Sequence, residues 1–152
     1  MGTTTFTGPV KAGNVLNTTG ATVGNIRNVG TLVASQTAAI TQSATASATS
    51  IVIPANSTII DIELFVTIAW SSATTTYTVS VGSSATATEL VAATNANAVG
   101  ILALNPGTDA TRTGNWVNTG TTDEVIWVRS GAPDTIPGTG RLVVTYIQAA
   151  NA

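Results

Sequence analysis

"IPANSTIIDIELFVTIAW", residues 53–70, is the most apolar stretch of this chain, yet it carries Asp61 and Glu63 two positions apart. From residue 59 to 70 the even positions read Ile60, Ile62, Leu64, Val66, Ile68 and Trp70, while the odd ones read Ile59, Asp61, Glu63, Phe65, Thr67 and Ala69. Successive side chains of a strand leave opposite faces. The pattern therefore predicts a strand with one apolar face turned to a core and one mixed face. Asp61, Glu63 and Phe65 share the mixed face, which is assigned to solvent or to contact between subunits. A helix would scatter the same residues around its circumference, and the β-branched content also favours a strand. "PANS", Pro54 to Ser57, supplies the turn that precedes it.

Carboxylates at i and i+2 of a strand stand about 6.5 to 7 Å apart, close to the separations used in glycoside hydrolysis. Catalytic pairs normally flank a substrate from different elements, however, and these two are neighbours on one face. Their placement follows from the even face being reserved for the core, and no catalytic residue is assigned.

The alternation recurs elsewhere. "TYTVSV" puts Tyr77, Val79 and Val81 on one side, and "TSIVIP" and "GILAL" are shorter candidates. "DEVIWVRSG" and "RLVVTYIQ" are apolar on both faces near their centres and read as buried or interface strands, separated by the turn-rich "GAPDTIPGTG". One segment, "TATELVAATNA" from Thr86 to Ala96, is predicted to be helical for a turn or two, with Thr88 as its cap. Many short strands punctuated by Gly, Pro and Asn predict an all-β fold, an antiparallel β-sandwich or jelly roll.

The first forty residues are different. Phe6, Val10, Val15, Leu16, Val23, Ile26, Val29 and Leu32 are scattered among Gly, Thr and Asn, too thinly to make a core. Such a segment is disordered or lies along a partner. The expected organisation is an extended N-terminal arm over residues 1–42 and a jelly-roll-like sandwich over residues 43–152, with "TQSATASATS" at the joint. Phe6, Pro9, Val10, Lys11, Leu16, Ile26 and Arg27 are the residues expected to make the arm's contacts. Lys11 and Arg27 are the only charges before Asp61, so the arm is basic within an acidic protein.

Composition narrows the functions. Charged residues make up 8% of the 152, against about 25% in an ordinary soluble domain, so hydroxyls and amides must cover the surface. A surface of that kind lacks the charge that keeps neighbours apart, which suggests assembly. Neither cysteine nor histidine occurs, which removes disulfides, thiolate metal sites and every Ser-His or Cys-His arrangement. No cofactor, metal site or enzymatic activity is expected. The N-terminus lacks the apolar core of a secretory signal, and no stretch approaches the ~18 apolar residues of a membrane helix. A soluble chain made and kept in the cytoplasm of its host is the expectation, with no membrane partner.

Oxygen-rich "NPGTDATR", Asn105 to Arg112, and Asp123-Glu124 match no calcium-loop spacing, and the first reads better as a polar turn with an exposed ion pair. The cations Lys11, Arg27, Arg112, Arg129 and Arg141 are scattered and outnumbered by seven acids, which argues against nucleic acid. Among the aromatics, Trp70 and Tyr146 sit in apolar strands and are assigned to the core. Trp116, in "TGNWVNTGT", is the candidate for an exposed, sugar-binding platform.

The opening "TTTFTGPVKAGN" resembles the "TTFSGPV" start of small virion proteins of tailed bacteriophages. The succession "IPANSTIIDIELFVTIAW", "YTVSVGSSATATELVAAT", "GTTDEVIWVRSG" and "GTGRLVVTYIQ" is similar to the order of blocks in phage head decoration, or cement, proteins. The resemblance covers most of the chain, but it rests on strand patterns and turns, and no functional residue carries over individually. It implies a homotrimeric β-sandwich on the exterior of the virion capsid, bound to the major capsid protein and strengthening contacts between capsomers. The alternative is a tail-fibre module that binds a receptor or carbohydrate, although the chain reads as complete rather than as part of a longer fibre.

Overall fold

The computed structural model describes residues 32–72 and 77–148. Eight strands, β1 (Leu32–Thr41), β2 (Ser47–Ile53), β3 (Thr58–Ile68), β4 (Thr78–Gly82), β5 (Val91–Asn95), β6 (Gly100–Leu104), β7 (Glu124–Ser130) and β8 (Thr139–Gln148), are accompanied by one helix, α1 (Ala110–Val117). They form two four-stranded sheets, ordered β1-β8-β3-β6 and β2-β7-β4-β5. The sheet that holds β1 is the first and the sheet that holds β2 is the second. Each strand is followed by one in the opposite sheet, except that β4 and β5 form a hairpin within the second. That interleaving is a jelly roll, two Greek keys closed against each other. Leu32–Thr41, which the sequence reading gave to the arm, is the edge strand of the first sheet. The expected arm contacts Phe6, Pro9, Val10, Lys11, Leu16, Ile26 and Arg27 lie outside the described residues.

The core is the sum of the inner faces. Ile51 and Ile53 of β2, Ile62, Leu64 and Val66 of β3, Val79 and Val81 of β4, Ile126 and Val128 of β7, and Leu142, Val144 and Tyr146 of β8 are all buried. At about 25 cal/mol per Å² of apolar surface, each such side chain contributes roughly 1.5 to 3 kcal/mol over leaving it exposed. The two strands read as apolar on both faces, β7 and β8, occupy interior positions in their sheets.

β3 obeys the predicted alternation only in its middle. Its pairing with β8 runs Ile59↔Tyr146 then Asp61↔Thr145, and Val66↔Gly140 then Ile68↔Thr139, so two residues of β3 twice oppose a single step of β8. Each β-bulge shifts the alternation by one residue. Ile60 and Ile68, expected in the core, are therefore 45% and 46% exposed, while Ile59 is buried in Ile60's place. Trp70 returns to the interior beyond the second bulge, against Gly138, where even a Cβ would come within 2.6 Å of the indole.

The predicted helix over Thr86–Ala96 is not formed. Leu90 and Val91 are both buried, Ala87 takes a positive φ of 53°, and the chain enters β5. Two adjacent buried side chains, with the Leu90 N–H bonded to the Val81 carbonyl, suit a strand approaching β4 and override local propensity. The helix forms instead from "NPGTDATR" onward. Asp109 caps α1, its Oδ1 accepting from the Arg112 N–H at 2.9 Å, and the expected exposed ion pair joins Arg112 to Asp109 at 3.6 Å. Among the described residues no helix is long and apolar enough to cross a membrane.

Two glutamines lock the sandwich. Gln42, only 3% exposed, donates from Nε2 to the carbonyls of Ser71 and Gly131, and its Oε1 accepts from the N–H groups of Ser71 and Gly138. One side chain thereby satisfies backbone groups of three residues in two loops, the one after β3 and the one between β7 and β8. Gln36 on β1 exchanges hydrogen bonds with both backbone groups of Val52 on β2 and donates to the Tyr146 hydroxyl, bridging the edges of the two sheets.

Candidate functional site

With both inner faces committed to the core, recognition falls to the outer faces and edges. On the outer face of the first sheet Asp61 lies opposite Thr145, Glu63 lies between Ala103 and Val143, and Phe65 lies between Ile101 and Arg141. Asp61 is exposed, Glu63 and Phe65 are half-buried, and Ile101 is 64% exposed. The two carboxylates thus sit among Thr, Ala and Val rather than in a cleft. Toward β1 the Ser35 and Thr145 hydroxyls bond each other at 2.7 Å. This is an ordinary outward sheet face, acidic at the Asp61 end and basic at Arg141.

The outer face of the second sheet has a different relief. On β7 the outward residues are Val125, Trp127 and Arg129, because Ile126 and Val128 between them point inward. Trp127 stands opposite Gly82, Arg129 opposite Ser80, and Val125 opposite Val52. Tall side chains on β7 therefore border short ones on β4 and β5. The result is a depression of about 210 Å³ lined by Thr78, Ser80, Thr88, Ala93, Arg129, Ser130 and Gly131.

The loop between β4 and β5 shapes one rim. A Cβ on Gly82 would meet the backbone of Ala87 and Thr88 at 2.7 Å and the Glu89 carboxylate closer still, so only glycine lets this loop lie on the strand. Glu89 is the loop's organiser, accepting from the Ser84 hydroxyl at 2.5 Å, from the Thr86 hydroxyl and from the Thr88 N–H at 3.0 Å. Burial of this carboxylate opposes ionisation, but the hydrogen bonds outweigh it and bring its pKa down to about 2. Glu124 shifts the other way, raised chiefly by burial and further by the neighbouring Glu89 charge, against a hydrogen bond from Ser83.

Arg129 is held rather than neutralised. Its Nε donates to the Ala44 carbonyl at 3.2 Å, and among the described residues its terminal nitrogens have no carboxylate partner. Arg112 approaches the same rim, its Nε donating to the Thr88 carbonyl at 3.0 Å.

Trp116, the sequence candidate for an exposed platform, is half-buried. Its ring packs against the core and its indole N–H donates to the Leu90 carbonyl at 2.9 Å. Trp127 is the tryptophan on an outer sheet face. The signal for it lay in "DEVIWVRSG", whose alternation sets Val125, Trp127 and Arg129 on the side opposite Ile126 and Val128. Among the described residues, no three of Asp, Glu, His and Cys gather closely enough to hold a metal ion.

No family model and no curated protein matches this chain. A solved structure does. A chain of the "Cyanophage Pam1 capsid asymmetric unit" aligns with a TM-score of 0.54 at 20% identity, covering 78% of this chain and 86% of that one. The likeness is one of fold, and it spans most of the jelly roll.

Proposed function

We propose that this chain is a structural protein of a bacteriophage virion that binds the outside of the head and cements contacts between capsomers. The observation that carries the reading is the shared fold with a chain of a phage capsid assembly, over most of both molecules. The composition is consistent with it. A chain with 8% charged residues and no His or Cys suits a protein that is built into an assembly rather than one that turns over a substrate.

In this reading the partners are the major capsid protein and two further copies of the chain. The basic, apolar-spotted segment 1–31 is the anchor, with Phe6, Val10, Leu16 and Ile26 entering grooves of the capsid and Lys11 and Arg27 drawn to acidic surface. The jelly roll then stands on the exterior as the rigid body that neighbouring capsomers share.

The test is deletion of residues 1–30. The truncated protein keeps its fold and its oligomeric state, which light scattering reads as about three times the chain mass, but loses most sedimentation with expanded, undecorated heads. Undiminished binding assigns attachment to the jelly roll and refutes the anchor. A full-length chain that never sediments with heads refutes the cement role itself.

A further inference from the structure

The depression on the second sheet's outer face has the chemistry of a small ligand site, and nothing in head binding requires it. Its parts are a guanidinium fixed through Nε to the Ala44 carbonyl, its terminal nitrogens without a carboxylate partner among the described residues, an apolar floor at Ala93, and hydroxyls from three segments. Ser80 Oγ already donates to the Arg129 carbonyl, at 3.3 Å, and so faces a ligand as an acceptor. The Thr78 and Thr88 hydroxyls have no partner among the described residues and can donate or accept. Trp127 follows on the same face of β7, two residues from Arg129 and opposite Gly82, on which the Ala87–Glu89 loop lies.

We propose that this depression binds a carboxylated sugar, one uronic-acid residue of an acidic glycan. A planar guanidinium matches a carboxylate in bidentate geometry through its terminal nitrogens. Hydroxyls able both to donate and to accept match a ligand that is itself polyhydroxylated. The carboxylate of a protein partner would use only the donors. Ala93 supplies apolar surface for a C–H face of a pyranose ring, with the half-buried Trp127 next outward on β7. At about 210 Å³ the space is below the roughly 300 Å³ at which pockets for drug-sized ligands begin, so it takes a single ring of a chain that continues over the surface. Glu89, the acid beside Thr88, is bound to Ser84, Thr86 and the Thr88 N–H, which leaves Arg129 as the charge lining the depression.

The experiment titrates the full-length protein with glucuronate, galacturonate, glucose and a capped glutamate peptide, followed by amide and indole shifts in NMR spectra. The expected result is millimolar binding of a uronate that moves Ser80, Ala93, Gly131 and the Trp127 indole, with glucose clearly weaker. Arg129→Gln should weaken uronate binding by about tenfold, the loss of one charge-assisted pair. Ala93→Leu, a surface substitution that fills the floor, should abolish binding while the rest of the spectrum stays in place. Absence of uronate binding overturns the site. So does binding that Arg129→Gln leaves intact, and so does a glutamate peptide that binds as tightly and moves the same residues, which would make the depression a protein contact.

Discussion

The two sheets share one core but solve different problems on their outer faces. The first is built from strands of ten, ten, eleven and five residues, and its interior pair β8 and β3 exposes a nearly continuous set of sizeable side chains. The second uses strands of seven, seven, five and five, and β4 and β5 present Ser80 and Ala93 beside Arg129. Filled relief makes a wall, and uneven relief makes a place for something to sit. The difference lies in side-chain height on otherwise similar ladders, and a loop organised by Glu89 preserves it.

The strongest test of this comparison strikes what the sheets have in common. Leu64 is fully buried between them, and Leu64→Asp places an unpaired carboxylate there at a cost of several kcal/mol, comparable to the whole ~5 to 15 kcal/mol stability of a domain. The variant should be unfolded by circular dichroism at room temperature. On the wall side of the same strand, Glu63→Ala should cost less than about 1 kcal/mol. A reversal of that order would mean that β3 presents its other face to the core.

Next in size is the joint at the end of the sandwich. Gln42→Leu keeps the volume but strands the N–H groups of Ser71 and Gly138 and the carbonyls of Ser71 and Gly131. With buried unsatisfied groups costing about 1 to 3 kcal/mol each and some rehydration through the loops, about 3 kcal/mol should be lost. Denaturant melts read this directly. A neutral outcome would show that the loops hold themselves and that the sheets need no polar tie at this end.

A smaller effect separates the sheets by pH, because Glu89 and Glu124 both belong to the second. Glu89 titrates near 2 in the folded protein against 4.5 ordinarily, so its contribution is present above pH 4.5 and lost as the pH falls toward 2. Glu124 is raised, so folding favours its protonated form, and its penalty disappears as the pH falls through its folded pKa. Stability should therefore rise slightly on mild acidification and then decline below pH 4.5. Discounted for solvent screening, the Glu89 share is about 1 kcal/mol. Glu89→Gln should remove most of the acid limb, and thermal melts between neutral and acid pH would show it. A limb unchanged in that variant would assign it to other carboxylates.

Much of this architecture is legible in the sequence, and the failures have physical causes. Residues whose alternation is forced by burial, in β3, β4, β7 and β8, announce themselves, and "GILAL" coincides with β6. β1 is hidden because "LVASQTAAIT" carries small residues on both faces and takes its place at the sheet edge through polar links such as Gln36. The helical reading of Thr86–Ala96 failed because Leu90 and Val91 are drawn into the core together, and α1 escaped notice because it is only eight residues long and none of them is fully buried. The depression could not be read at all. It depends on which short residues of β4 and β5 come to lie beside Trp127 and Arg129, and that is a matter of register between distant strands.

Register also supplies the finest prediction. An unbroken alternation puts Ile60, Ile62, Leu64, Val66 and Ile68 on one face, whereas the bulges at each end of β3 return only the middle three to the core. A bulge is invisible in a period-two pattern because it leaves the residue types unchanged and alters only the count against the partner strand. Ile60→Thr keeps the β-branched shape and exchanges a half-exposed ethyl arm for a hydroxyl, so it should move stability by no more than about 0.5 kcal/mol. Ile62→Thr, two residues on and fully buried, should cost about 2 kcal/mol, from lost apolar contact and a hydroxyl in the core. Equal losses at the two positions, measured in one series of denaturant melts, would mean that β3 runs straight and that Ile60 belongs to the core after all.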